Sequence, residues 1–291
     1  MVSIECVVDA KAALGEGSLW DVADGVLWWV DITGRLIHRY NPATGEDRSW
    51  PTPEAIGCLA VRERGGLVVA MRDGLHFFDP GSGKFIAILD PEADRPDNRF
   101  NDGKPDRQGR FWPGSMYEGS RPWPSAGLYR LDPDLTCRRM VSDVTCSNGL
   151  AWSPDSRVMY YADSPLEKVF AWDFDPATGE IENRRVFVDT TAFHSNPDGA
   201  TVDVEGAYWL TLPEADKVAR FDPDGKLMQV IDMPVYHPTC AMFGGPDLDI
   251  LYVTTATMFN TPTDLAKKPL TGGLFAMDVG VKGLPEARFK G

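Results

Sequence analysis

Long helical periodicity is missing from this 291-residue chain, and so is any apolar run near the ~18–20 residues that a membrane-spanning helix requires. The opening residues Met1-Val2-Ser3-Ile4-Glu5-Cys6 supply neither the basic start nor the apolar stretch of a secretory leader, so a cytoplasmic location with no membrane partner is expected. Cysteine is scarce. Cys6, Cys58, Cys137, Cys146 and Cys240 are odd in number and show no Cys-x-x-Cys spacing, which disfavours a disulfide framework and a thiolate zinc site and leaves them as small apolar residues. Histidine is scarcer still: His38, His76, His194 and His237 do not cluster, and His194 alone stands a few residues from a candidate site, at Asp198. Basic residues fall well short of acidic ones, and the formal net charge of −14 repels nucleic acid and anionic lipid and suits a monomer or weak homodimer. No Gly-x-Ser-x-Gly elbow, Walker sequence or dinucleotide glycine pattern is present, so serine-hydrolase and nucleotide chemistries lose their support.

What the chain does contain is a repeat. Short strand-like segments rich in aromatic and β-branched residues begin at Leu27, Leu67, Phe111, Met159, Tyr208 and Leu251, about every 40–50 residues. A second phrase recurs with them, a strand running into Asn/Asp-Pro and a glycine turn: Asn41-Pro42-Ala43-Thr44-Gly45, Asp79-Pro80-Gly81, Asp132-Pro133, Asp175-Pro176-Ala177-Thr178-Gly179 and Asp222-Pro223-Asp224-Gly225, with a weaker copy ending at Asp278. With 43% hydrophobic and 11% aromatic residues there is material for a large core. Six such units predict an all-β fold, a six-bladed β-propeller in a single domain over residues 1–291, with Ile4–Val8 pairing with the last blade to close the ring.

At one phase of this repeat an oxygen-bearing side chain precedes a glycine: Glu16-Gly17, Asp102-Gly103, Asn148-Gly149 and Asp198-Gly199. Two copies break the rule, with Ile56-Gly57 and Thr239-Cys240 at the same phase. Asn-Gly and Asp-Gly taken singly are ordinary hairpin turns. Taken in phase on a closed ring, they converge on one mouth of the central tunnel. Glu16 lies among apolar neighbours, where a lone carboxylate is costly and a cation would resolve the cost. A set of Glu, Asn and Asp oxygens favours a hard or borderline divalent ion such as Ca²⁺, Mg²⁺ or Mn²⁺, and three protein ligands would leave positions open for water or substrate.

The runs Leu14-Gly15-Glu16-Gly17, Arg99-Phe100-Asn101-Asp102-Gly103-Lys104, Ser147-Asn148-Gly149-Leu150-Ala151-Trp152 and Pro197-Asp198-Gly199 resemble the gluconolactonase, regucalcin (senescence marker protein) and luciferin-regenerating family, with Phe243-Gly244-Gly245-Pro246 and Gly272-Gly273-Leu274-Phe275 in agreement. The resemblance runs end to end. It implies a propeller holding one divalent metal cation (Ca, Zn, Mg, Mn or Fe) on Glu16, Asn148 and Asp198. It further implies that Arg99 and Asn101 bind substrate, that Asp102 orients the site from behind, and that a sugar lactone is opened to its acid. Some relatives place a substrate-facing acid slightly later than Glu118, which is its candidate here. Asp198 is then the residue to take the proton of the attacking water. Tyr117 and Trp123 offer faces on which a sugar ring can rest. The rival readings are a metal-dependent phosphotriesterase and a non-catalytic calcium-binding propeller.

Overall fold

The computed structural model describes residues 2–291 and consists almost entirely of antiparallel strands in six four-stranded sheets. After an isolated first strand, β1 (Ile4–Val8), blade one is built from β2 (Gly15–Asp21), β3 (Val26–Asp31), β4 (Leu36–Asn41) and β5 (Glu46–Pro51). Blade two is β6 (Ile56–Val61), β7 (Leu67–Met71), β8 (Gly74–Asp79) and β9 (Lys84–Leu89). Blade three is β10 (Asn98–Pro105), β11 (Phe111–Tyr117), β12 (Ala126–Leu131) and β13 (Cys137–Val144). Blade four follows as β14 (Ser147–Trp152), β15 (Val158–Asp163), β16 (Lys168–Phe174) and β17 (Ile181–Asp189). Blade five is β18 (Ala200–Val202), β19 (Tyr208–Leu212), β20 (Lys217–Phe221) and β21 (Leu227–Asp232). The chain ends with β22 (Pro238–Gly244), β23 (Ile250–Thr255), the short helix α1 (Pro262–Lys267) and β24 (Leu274–Asp278).

Blade six has only three strands of its own, and β1 completes it: Ile4 pairs with Met277 and Cys6 with Phe275. First and last segments of the chain thus share one sheet, which closes the propeller as the sequence predicts. No helix is long and apolar enough to cross a membrane.

Burial grades from the axis outward. The first strands β2, β6, β10, β14 and β22 are buried along their whole length, whereas the fourth strands β5, β9, β13, β17 and β21 carry alternating exposed residues. Sheets covered on both faces need continuous apolar sequence, and outer edges need charge to resist pairing with other chains. Arg184 and Arg185 on β17 and Arg48 on β5 meet that need.

The repeated Asn/Asp-Pro phrase proves to be one turn used again and again between third and fourth strands. Gly45, Gly83 and Gly179 donate their N–H to Asn41, Asp79 and Asp175 carbonyls at 2.7–2.8 Å, and the Asn41, Asp79 and Asp175 side chains each accept the N–H two residues on. Another recurring device locks the blades internally: the indole N–H of Trp112 donates to Asp106, and that of Trp209 to Asp203, each at 2.9 Å and each to an acid six residues earlier.

Candidate active site

A break in pairing register in five of the six inner strands sets the site. Pairing between first and second strands slips between Glu16 and Leu19, Ile56 and Cys58, Phe100 and Gly103, Asn148 and Ala151, and Pro238 and Cys240. Three of the slips hold the dipeptides Glu16-Gly17, Asp102-Gly103 and Asn148-Gly149, so these three are not hairpin turns. A bulge inserts one unpaired residue and re-aims its neighbours. Gly17 (φ +56°) and Gly149 (φ +65°) occupy the left-handed region that such a kink demands, which side chains rarely adopt. In blade five Asp198 precedes β18 and donates its N–H to Thr211 O at 3.2 Å. There the adjacent inner strand is so near that a Cβ on Gly199 would lie 2.6 Å from Cys240 Cα.

Glu16, Asp102 and Asn148 are buried, and Asp198 is partly open to a cavity of about 270 Å³ that it shares with Asn148, Ser164, Glu214, His237 and Phe259. Larger clefts of about 570 and 410 Å³ lie around Trp20, Pro42 and Gly245 and between Trp28 and Arg62, and none of Glu16, Asp102, Asn148 and Asp198 lines them.

Burial pushes the Glu16 carboxyl up to about 8, with the nearby charge of Asp102 adding to the effect. Asp198 is held well above its usual range, first by burial, then by the charges of Glu16, Asp102 and Glu214. Burial raises Asp102 too, opposed chiefly by the Lys104 ammonium and by Leu150 N–H, which donates to Asp102 Oδ2 at 3.1 Å. Three buried carboxyl groups held above their usual range, Glu16 in part by Asp102 and Asp198 by both, mark a place where negative charge is costly and a cation would relieve it.

The donors nearby do not supply that relief. Glu16 accepts the N–H of Gly17 (3.0 Å) and shares a hydrogen bond with the Asp198 carboxyl, which keeps its proton and donates, and Asp102 Oδ1 is buried without a partner. Lys104, itself buried, spends its ammonium on Ala200 O across the tunnel. Among the described residues no three His, Cys, Asp or Glu side chains form a ready cation cage. Two carboxylates and the Asn148 amide oxygen, with an orphaned carboxylate oxygen behind them, nevertheless fit a divalent cation in donor chemistry. The thiol of Cys240, beside these acids, is pushed up to about 12 by burial and stays protonated, so it does not compete as a thiolate ligand.

A continuous polar chain supports these groups. Asn148 Nδ2 donates to Ser164 Oγ (2.8 Å), and Ser164 Oγ donates to Pro197 O (2.7 Å), next to Asp198. In the other direction Asn101 Nδ2 donates to Asn148 Oδ1 (3.1 Å), Arg99 Nη1 donates to Asn101 Oδ1 (2.7 Å), and Arg99 Nε donates to Glu118 Oε1 (2.6 Å). All seven residues singled out in the sequence therefore belong to one constellation. Arg99 is buried, which lowers its pKa, and much of its fork is already engaged by Glu118, Asn101 and Phe100 O.

Other expectations meet a different outcome. Trp123 is 63% exposed and lines a separate surface cleft with Tyr117 and Asn98, so neither ring faces the carboxylates. His194 is exposed and caps a 3-10 turn. The histidine in the cavity is His237, whose backbone N–H donates to Asp216 Oδ1 (3.1 Å) and whose ring pKa is lowered, mainly by burial. Sequence reasoning passed over His237, Ser164 and Lys104. Only His237 had a usable signal, its place just ahead of the sixth inner strand.

Residues 14–257 match the family described as the SMP-30/Gluconolactonase/LRE-like region. Regucalcin of Danio rerio is 37% identical over 293 residues, covering 100% of this chain and 99% of the relative. The 6-deoxy-6-sulfogluconolactonase of Pseudomonas putida is 35% identical over 291 residues, 99% of each. The crystal structure of a calcium-binding protein, regucalcin from Agrobacterium tumefaciens, superposes with a TM-score of 0.95 at 27% identity, covering 99% of this chain and 98% of that one.

Proposed function

The chain belongs to the SMP-30/gluconolactonase/LRE-like family, and from that premise we propose that it is a lactonase that opens sugar lactones with the help of one divalent cation. The observation that carries this reading is the gathering of Glu16, Asn148 and Asp198 at the inner-strand ends, short of positive charge and joined by hydrogen bonds to Arg99 and Asn101. A cation held by these three side chains would polarise the lactone carbonyl and make a water more acidic.

The remaining chemistry falls to the chain. Lactone hydrolysis needs a base for the attacking water and a proton for the departing alkoxide. Asp198, partly open to the cavity and hydrogen-bonded to Glu16 in the metal-free protein, would lose its proton once a cation is bound, then take the water's proton and return it to the alkoxide. Asp102 supports from behind: it fixes the start of the neighbouring blade through Leu150 N–H and adds its charge to the two ligand carboxylates. Asn101 orients the Asn148 amide oxygen, and Arg99 holds Asn101 while presenting its remaining N–H groups to substrate oxygens.

A calcium-binding propeller without catalysis would need the carboxylates but not a buried Arg99-Asn101 pair built onto them. This cavity sets Asn148, Ser164, Asn196, Asp198, Glu214 and His237 beside an apolar wall of Cys146, Pro197, Pro213 and Phe259, so the substrate panel, and not the lining, separates a lactone from a phosphotriester. Chelated protein, reloaded with Ca²⁺, Mg²⁺, Mn²⁺, Zn²⁺ or Fe²⁺ and followed by proton release on a panel of aldonolactones, simple lactones and a phosphotriester, tests the proposal. Turnover on aldonolactones that vanishes with chelation and returns with metal is expected. Full activity in metal-free protein, or hydrolysis of the phosphotriester alone, overturns it.

A further inference from the structure

The polar chain that runs from Asn148 through Asn101 and Arg99 to Glu118 does not stop there. Arg72 follows directly on β7, the second strand of blade two, and its backbone N–H is tied to Ala55 O at 2.9 Å. Its Nη2 pairs with Glu118 Oε2, while Glu118 Oε1 accepts from Arg99 Nε at 2.6 Å. One carboxylate is therefore shared by two guanidinium groups, and one positive charge is left over. The neighbouring acid Asp73 pairs instead with His76 Nε2, at 3.7 Å.

Exposure decides which cation is available. The Arg99 side chain is 7% exposed and those of Arg72 and Glu118 are 37% and 33%, so the surplus charge meets solvent on Arg72. Among the described residues no protein acceptor engages Arg72 Nε or Nη1. Glu118, the acid expected to receive a substrate hydroxyl, has both oxygens occupied by arginine. Guanidinium has donors only, in a fixed fork, and its best partner is an oxyanion rather than a neutral hydroxyl. This fork stands on a molecule of formal net charge −14, where an uncompensated cation is out of keeping with the surroundings. It is also within electrostatic reach of the site, since the charges of Glu16, Asp198 and Arg72 all act on the Arg99 guanidinium.

We propose that Arg72 determines specificity by receiving an oxyanion, a sulfonate or a carboxylate, carried on the end of the sugar lactone remote from its carbonyl. The proposal rests on the lactonase reading. Glu118 serves to hold the Arg72 fork in place, and the ring-opening chemistry is unaffected by the anion.

The experiment compares metal-loaded wild type, Arg72→Gln and Arg72→Lys on three lactones of one ring size that differ only at the terminal carbon: hydroxyl, sulfonate and carboxylate. Selectivity, the kcat/KM of an anionic lactone over that of the neutral one, is the readout, so any general loss from loosening Glu118 and Arg99 divides out. Wild type is expected to favour an anionic lactone, and Arg72→Gln to lower that ratio by about 10–100-fold, through KM, as befits a charge-assisted pair. Arg72→Lys keeps the charge without the fork and should recover part of it. The order of sulfonate and carboxylate identifies the preferred anion. An unchanged ratio in Arg72→Gln overturns the proposal and makes Arg72 a prop for Arg99. Should wild type hydrolyse none of the three, the lactonase reading fails separately. Calorimetric titration with the ring-opened sulfonated acid then decides the anion site: weaker binding to Arg72→Gln supports it and equal binding refutes it.

Discussion

The crowding of acids at the tunnel mouth makes a strong demand on the metal-free protein. Glu16 moves from an ordinary value of 4.5 to about 8 on folding, because burial and the charge of Asp102 disfavour its ionised form. Between those two pH values the folded state keeps a proton that the unfolded state has lost, so stability is fully present below about 4.5 and declines as pH rises toward 8. One such group gives a slope of about 1.4 kcal/mol per pH unit, or about 5 kcal/mol across the whole window. A chain of this length unfolds with an entropy near 0.6 kcal/mol/K, so the melting temperature should fall by about 8 °C from pH 4.5 to pH 8. Saturating calcium replaces the proton, flattens the profile and, at one hundred times its Kd, adds about 2.7 kcal/mol. Thermal melts of chelated protein across this window, with and without calcium, follow the effect, and Glu16→Gln should make the metal-free slope shallower. A metal-free melting temperature that is flat or rising from pH 5 to 8, or a Glu16→Gln slope equal to wild type, refutes the reasoning.

Asp198→Asn keeps an oxygen at the site but removes the base: kcat on an aldonolactone should fall by about two to four orders of magnitude with the melting temperature preserved, and near-normal turnover would move the base elsewhere. Ser164→Ala strips the partner from Asn148 Nδ2 and from Pro197 O, which should cost about 1–3 kcal/mol and weaken cation affinity about 10–100-fold, read by melts and by calcium titration. Trp209→Ala, at a fully buried indole bound to Asp203 and packed edge-on to Phe243, should destabilise by about 3–5 kcal/mol, and a melting temperature unchanged within a degree would contradict the packing described.

The parts of the site that were legible in the sequence share one property: they sit at equivalent positions of a repeat. Glu16 and Asn148 sit at the second position of an inner strand, Asp198 just ahead of one and Asp102 midway along β10, and a ring carries such neighbouring positions to one mouth without any knowledge of contacts. Arg99 and Asn101 came from resemblance rather than periodicity, and their union with Asn148 is a matter of hydrogen bonds that no spacing encodes. Arg72 and Ser164 each follow directly on the second strand of their blade, as Glu118 does in blade three, and His237 stands just ahead of the last inner strand; the positions recur but the residue types do not, so no pattern singled them out. Trp123 shows the converse, since an aromatic residue in a loop near a site says nothing about which way the loop turns it.

By itself the sequence determined the number of blades, the turns between their outer strands, the pairing of Ile4–Val8 with the last blade and the ring of polar heads, because these follow from local patterning repeated six times. Only the tertiary structure decided that three of the polar-Gly dipeptides are bulges and not turns, that the charges of Glu16 and Asp102 act on Asp198, and that Glu118 is clamped between two arginines. Each of these depends on which strands and loops meet across the tunnel, and burial and charge act through distances in space that separation along the chain does not record.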